Sequence, residues 1–483
     1  MSRVTNSRRL LFCVPTTALS GGVKVIFEIV NRLVDAGHSV DLFSYAGQPK
    51  WTSPNATILA EKDIAAVDMS QYDFVLASNA FFLPLILPHV APARLVFFCQ
   101  DWESFHHARG TTYADFVSDD PTFVELYRLP VPIIATSRAI CSLTRERAGR
   151  DAYFMQVGLN KSVFSVQPRK PPTPRKRVLL VGNYLMPYKG MRDGLEALRI
   201  LSQEIPLELV LVTQEYRDRH ILESCGCPID LRFCPTEPEM PAIYASCDVY
   251  CCTSWYEGLG LPALEAFRCG VPVVSTRTYG VSDYGIDDTN LLLANPNEPA
   301  DLADKLRRML TDSDLADRLR TSAFGTVDRE YDWSRSYEMF ASALDDIDRT
   351  YAGAGPVDAD AMRELSARLE TEGNFTPIET FREFYRLGGL ASSCYKQMSS
   401  SRSADPASVA TLRDVREQLR PYVANPLAEY YRAFKAEFDR CQLVLTLTDD
   451  DRFPDYLDAL LAHGRNRTNK HAPPRAEPGG PLT

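Results

Sequence analysis

A chain of 483 residues has room for two or three domains, each with its own core. Its 45% hydrophobic and 24% charged content are those of a globular protein, and a formal net charge of −10 argues against nucleic acid as the main partner, because phosphate neutralisation needs a basic face. No apolar run approaches the roughly 20 residues that span a bilayer; the closest, Ala80–Ala91, is interrupted by prolines.

The chain opens as β-α-β: strand Leu10–Val14, loop Pro15–Gly22, helix Val23–Ala36 and strand Ser39–Ser44. Arg8-Arg9 before an apolar run imitates a secretion signal, but the run passes straight into a Gly-Gly turn and a helix, as a first strand should. The loop carries no G-x-G-x-x-G, so a dinucleotide fingerprint is missing; Gly21 and Gly22 instead let backbone amides face a ligand at the mouth of the helix. His38 is expected on the surface of the helix-to-strand turn.

Strands are expected at Asp73–Ala77 and Arg94–Cys99, followed by Gln100-Asp-Trp-Glu-Ser-Phe-His-His107. Acidic, aromatic and imidazole groups packed after a strand suit a polar substrate pocket, since each buried hydroxyl must recover the hydrogen bonds it made to water. Asp101 and Glu103 are the candidate substrate contacts, with Gln100 in support; His106 and His107 read equally as surface helix residues. Strand Ile133–Thr136 follows, and Ser137 caps a helix reaching about Ala148. The run 167–177, with four prolines and five basic residues, is a stiff connector at a domain boundary; a membrane-facing basic patch is its second reading.

A second unit starts with strand Val178–Gly182 and a loop that sets Lys189 at the start of a helix, where an ammonium can neutralise a phosphate. Strands Glu208–Thr213 and Asp230–Cys234 and helix Met240–Ala245 lead to the stretch on which the chain is centred, T-S-W-Y-E-G-L-G-L-P-A-L-E-A-F-R-C-G-V-P from Thr253 to Pro272. Strand Asp248–Ser254 precedes a loop bearing Glu257. Pro262 takes the first helical position, Glu265 follows three residues later, Gly270 ends the helix, and strand Val271–Thr276 comes next. Such a loop lies at the carboxyl ends of a parallel sheet, where ligands bind, so the amides of Gly258, Leu259, Gly260 and Leu261 should face an anion, with both glycines allowing close approach.

Helices are expected at Pro299–Leu310, Asp312–Phe324 and from Trp333 onward. Residues 356–465 have helical periodicity without a catalytic constellation, and the tail 466–483 reads as disordered. The 12 cysteines show no disulfide framework and suit buried positions in a reducing cytoplasm; Cys225-Gly-Cys227 and Cys234 lack the partners of a metal site.

The pattern E-G-x-G-x-P-x-x-E-A-x-x-x-G-x-P-V-V at Glu257–Val274 resembles the retaining GT-B glycosyltransferases of family 4, and the resemblance covers roughly residues 9–350. It implies an α/β fold with two Rossmann-like domains facing a cleft. The acceptor-side domain would span 1–168, the donor-nucleotide domain 177–330, a crossover helix 331–351, and an appended helical region 356–465. It also implies that a sugar leaves a nucleotide-diphosphate donor, the co-substrate, with no cofactor and no metal. Glu257 would lie against the donor sugar, Glu265 on the ribose, Gly21, Gly22 and Lys189 at the diphosphate, and Phe233 near the base. The wording Q-D-x-E-x-F resembles rhamnosyltransferase-like members. Asn183 stands where the family usually has an arginine. That departure leaves an inactive sugar-nucleotide-binding scaffold as an alternative, with a GT-B epimerase as a third. The acceptor is left open among a glycan, a lipid-linked sugar and a small molecule. The extra helices offer either a packing and homo-oligomerisation surface or a docking element.

Overall fold

The computed structural model describes residues 7–17, 20–49, 52–61, 63–107, 112–168, 173–182, 184, 186–213, 224–233, 235–351, 357–371, 386–387, 390–391, 393–395, 397–398, 404–423, 441 and 444–445. The first sheet holds β1 (Arg9–Val14), β2 (Ser39–Ser44), β3 (Thr57–Ile58), β4 (Phe74–Ala77), β5 (Leu95–Cys99), β6 (Ile133–Ala135) and β7 (Tyr153–Phe154). Its strands pair in parallel in the order 3-2-1-4-5-6-7. The second holds β8 (Lys176–Val181), β9 (Leu207–Thr213), β10 (Ile229–Phe233), β11 (Val249–Cys252), β12 (Val273–Thr276) and β13 (Leu292–Ala294), in the order 10-9-8-11-12-13. Strands covered by helices on both faces must be apolar throughout. β5 (LVFFC) and β11 (VYCC) are accordingly buried at every position.

In each sheet the strand order reverses once, between β1 and β4 and between β8 and β11. Chain leaving neighbouring strands at such a point diverges and opens a crevice at their carboxyl ends. The segments that follow β1, β8 and β11 carry Gly21, Lys189 and Glu257, so all three are delivered to those crevices.

The helices are α1 (Gly21–Asp35), α2 (Phe82–Ile86), α3 (Tyr113–Phe116), α4 (Pro121–Arg128), α5 (Arg138–Leu143), α6 (Met191–Leu201), α7 (Met240–Ala245), α8 (Leu261–Arg268), α9 (Pro299–Thr311), α10 (Ser313–Glu330), α11 (Trp333–Thr350), α12 (Ala359–Thr371) and α13 (Pro406–Val423). The first begins two residues earlier than expected: Ser20 caps it by accepting from the Val23 amide, so Gly21 and Gly22 form its first turn instead of a loop. Helix α4 was not expected, although Asp120 before Pro121 is its signature, a carboxylate cap ahead of a proline that needs no N–H partner. His38 is buried, not on the surface; its Nδ1 accepts from the Arg8 amide at 3.0 Å, and its Nε2 is 3.4 Å from the Tyr337 hydroxyl.

Helix α11 lies on the first sheet. Phe340 packs against Phe12 and Phe98, Tyr153 donates to Asp346 at 2.7 Å, and Arg8 pairs with Asp345 at 2.7 Å. The chain divides into compact units at 1–375 and 376–483. Helix α12 packs on α2 and α4 of the first unit and joins Arg368 to Glu125 at 2.9 Å. Within the second unit Leu387, Tyr395 and Met398 share a core with Leu412, Val415 and Leu419 of α13. The tail 466–483 lies outside the described residues; among the described residues no helix is long and apolar enough to cross a membrane.

Candidate active site

The loops after β8 and β11 are stitched together by one side-chain and one backbone hydrogen bond. Thr253 Oγ1 donates to the Lys189 carbonyl at 2.7 Å, and the Trp255 amide donates to the Tyr188 carbonyl at 2.7 Å. This brings Lys189 Nζ to 2.9 Å from Glu257 Oε1, which also accepts from Ser254 Oγ at 2.6 Å. Burial would lower the Lys189 pKa, but the Glu257 carboxylate and the Tyr188 ring more than offset this and hold it above the usual lysine value. The ammonium is therefore permanently charged, yet its side chain remains 25% exposed and can reach an incoming anion.

Two helices start beside this pair. Helix α6 follows Gly190, left-handed at φ 56°, with no side-chain cap. Among the described residues the amides of Met191, Arg192 and Asp193 have no acceptor, while Gly194 donates back to Gly190. Helix α8 follows Gly260, at φ 87°, and is likewise uncapped by any side chain. Pro262 takes its second position and not the first, and Ala263 donates back to Gly260, so Leu261 holds the open amide there. The richer set of free donors thus belongs to α6, where the sequence pointed to the Lys189 ammonium but not to the amides that follow it. Their only signal was the glycine after Lys189.

The two glycines of the loop have different reasons to be glycine. Gly260 needs its positive φ, and a Cβ on it would lie 2.9 Å from the Tyr284 hydroxyl. A Cβ on Gly258 would overlap the carbonyl oxygen of Gln100, so this position is required by the close approach of the first half of the molecule and not by a phosphate. Leu259 turns into the core. At the far end of α8 the Gly270 amide donates to Phe267 and the Val271 amide to Ala266, the Schellman closure expected of that glycine.

Glu265 faces inward on α8. Tyr244 of α7 donates to it at 2.8 Å, and burial raises its carboxyl pKa against the opposing pull of Lys24 and Tyr244. Phe233 ends β10; its side chain, those of His106 and His107, and all of Asn183 lie outside the described residues.

The first half meets the site along one seam. Gly21 approaches Leu261, so that a Cβ there would lie 3.8 Å from Leu261 Cδ1, and a Cβ on Gly22 would lie 3.5 Å from Nε2 of the Gln100 side chain. Asp101 is half-buried and hydrogen-bonds the Tyr256 hydroxyl, which also accepts from the Trp102 amide at 2.7 Å. Glu103 is buried, and both carboxylate oxygens accept from the Ala80 amide at 3.0 and 3.2 Å, which anchors the chain leading into α2. Around Tyr256 the seam is aromatic: Phe105 lies edge-on at 5.3 Å, and Phe116 stacks on Tyr188 at 5.4 Å. Asp283 of the second half accepts from the Arg138 and Ala139 amides at 2.6 and 2.9 Å, closing the start of α5.

Residues 164–325, about a third of the chain, match the family model of glycosyl transferases group 1. The chain is 36% identical over 97 residues to a D-inositol 3-phosphate glycosyltransferase of Corynebacterium jeikeium, covering 20% of this chain and 23% of that one. It is 29% identical over 164 residues to an MMP alpha-(1->4)-mannosyltransferase of Mycolicibacterium hassiacum, covering 33% and 39%. The match thus spans less than half the length of either relative. Among solved structures, sucrose-phosphate synthase from Thermosynechococcus elongatus superposes with a TM-score of 0.60 at 15% identity, covering 70% of this chain and 99% of that one. Anabaena Alr3699/HepE, in complex with UDP-glucose, does so at 0.57 and 18%, covering 70% and 100%. The fold is GT-B: two parallel-sheet Rossmann-like domains, with a helical C-terminal region.

Proposed function

We propose that this chain is a retaining glycosyltransferase that moves a sugar from a nucleotide-diphosphate donor to an acceptor without a metal. The observation that carries the reading is the Lys189–Glu257 pair at the uncapped starts of α6 and α8. A diphosphate gains negative charge as its bond to the sugar breaks, and preorganised amides with one ammonium stabilise that charge where it develops. Glu257, left with the Ser254 hydroxyl when Lys189 turns to phosphate, is free to accept from a sugar hydroxyl and to face positive charge at the anomeric carbon. Glu265 is set to take the ribose, and Asp101 to contact the substrate from the opposite half.

The group 1 match and the glycosyltransferases among the relatives support this reading. The finer reading, rhamnose as the sugar, rests on the wording from Gln100 to Phe105. The test is a panel of UDP-, GDP- and dTDP-sugars, dTDP-rhamnose included, scored for release of nucleoside diphosphate with and without EDTA, and for the anomeric configuration of the product. Release with transfer and retention, unchanged by EDTA, supports the proposal. Binding without release points to a scaffold, and conversion of the donor sugar without transfer to an epimerase. Glu257→Ala is expected to abolish transfer while nucleotide binding stays measurable by calorimetry; normal turnover would refute the assignment.

A further inference from the structure

Asn183 occupies the position at which the family resemblance expects an arginine, leaving Lys189 as the one cation that the second half brings to a diphosphate by sequence. The first half carries another. Lys24 lies one turn into α1, and its Nζ is 3.5 Å from Glu237 Oε1, in the turn that leads into α7. Helices α1 and α8 start side by side, Gly21 against Leu261, so one turn further on Lys24 comes near Glu265. Its charge there offsets part of the burial that raises the Glu265 carboxyl. Lys24 therefore stands between a carboxylate set for the ribose and one on the neighbouring turn, at 24% exposure.

This placement is more than a clasp requires. At 3.5 Å the contact with Glu237 is longer than a good charged hydrogen bond, and a lysine's four-carbon stem lets the ammonium swing without backbone movement. Other cations nearby are engaged elsewhere: Arg192 lies over the Tyr184 ring at 5.8 Å, and Arg138 over Phe154 at 4.4 Å. We propose that Lys24 is the second cation of the donor diphosphate, supplied by the opposite half of the molecule and passed from Glu237 to a phosphate oxygen when the nucleotide is bound. The proposal rests on the donor-binding reading above. It makes closure of the halves depend on the charge of the ligand, because the cation and the α6 amides come from different domains.

The test is calorimetry of the full chain with UDP, GDP and dTDP, each against its own nucleoside, for wild type, Lys24→Met, Lys24→Arg and Arg192→Ala. Lys24→Met is expected to weaken the preferred diphosphate by about tenfold or more while leaving the nucleoside unchanged, and Lys24→Arg to restore most of it. Added salt should then weaken wild type more steeply than Lys24→Met. Equal losses for diphosphate and nucleoside would assign Lys24 to Glu265 and the ribose, and overturn the proposal. So would no loss at all, or a diphosphate-selective loss found in Arg192→Ala alone. A wild-type chain that binds none of the three diphosphates overturns the donor-binding reading itself, a result distinct from a failure of Lys24.

Discussion

The two halves repeat one plan, yet they finish their helix starts differently. In the first half the protein supplies its own oxygens: Ser20 for α1, Asp120 for α4, and Ser137 together with Asp283 for α5. In the second half α6 and α8 begin after left-handed glycines with no side-chain cap. An open helix start costs stability unless something else accepts from its amides. Two such starts lie together beside Lys189, where the proposed donor would complete them, although elsewhere in the second half Asp312 caps α10 with its own carboxylate.

Removing the charge at the open end is expected to have the largest effect. Lys189→Met should lower kcat by about a hundredfold or more, measured as initial rates on the donor that the panel identifies. A rate within a few fold of wild type would mean that the amides act alone. Gly258→Ala separates the two readings of that glycine. Overlap with the Gln100 carbonyl should keep the halves apart, so transfer falls sharply while affinity for nucleoside diphosphate stays near wild type. If the affinity falls instead, the glycine serves phosphate after all.

Asp283→Ala should unmask the start of α5 and lower stability by about 1–2 kcal/mol, read from denaturant midpoints. An unchanged midpoint would show that Ser137 suffices. The smallest effect is expected at His38, far from the open starts. Burial, helped by the Arg8 charge and opposed by Asp345, lowers its pKa in the folded chain. The unfolded imidazole takes up a proton first, near pH 6.5. The stability that the neutral ring contributes is therefore fully present above that pH and lost as pH falls toward the folded value, with a slope of at most about 1.4 kcal/mol per pH unit. The same titration on His38→Gln should be flatter.

Much of this molecule is legible in its residues because the causes are local. Apolar runs such as Leu10–Val14, and Glu208–Thr213 after its first residue, read as interior parallel strands, and Gly270 ends a helix through bonds made within five residues. The positions of Glu257 and Lys189 at the mouths of two helices follow from strand–loop–helix spacing. What stayed illegible concerns residues whose partner lies far along the chain. Glu103 carries a bond from the Ala80 amide, 23 residues earlier, that no local pattern announces. Gly258 answers to Gln100, and His38 is covered by a helix some 300 residues away. The pairing of Lys189 with Glu257, 68 residues apart, and of Lys24 with Glu237 belongs to the same class. Sequence determined which segments form strands and helices and where their polar ends point. Only the tertiary structure decided which of those ends are already satisfied, because hydrogen bonds and charges act over a few ångströms in space, whatever the distance along the chain.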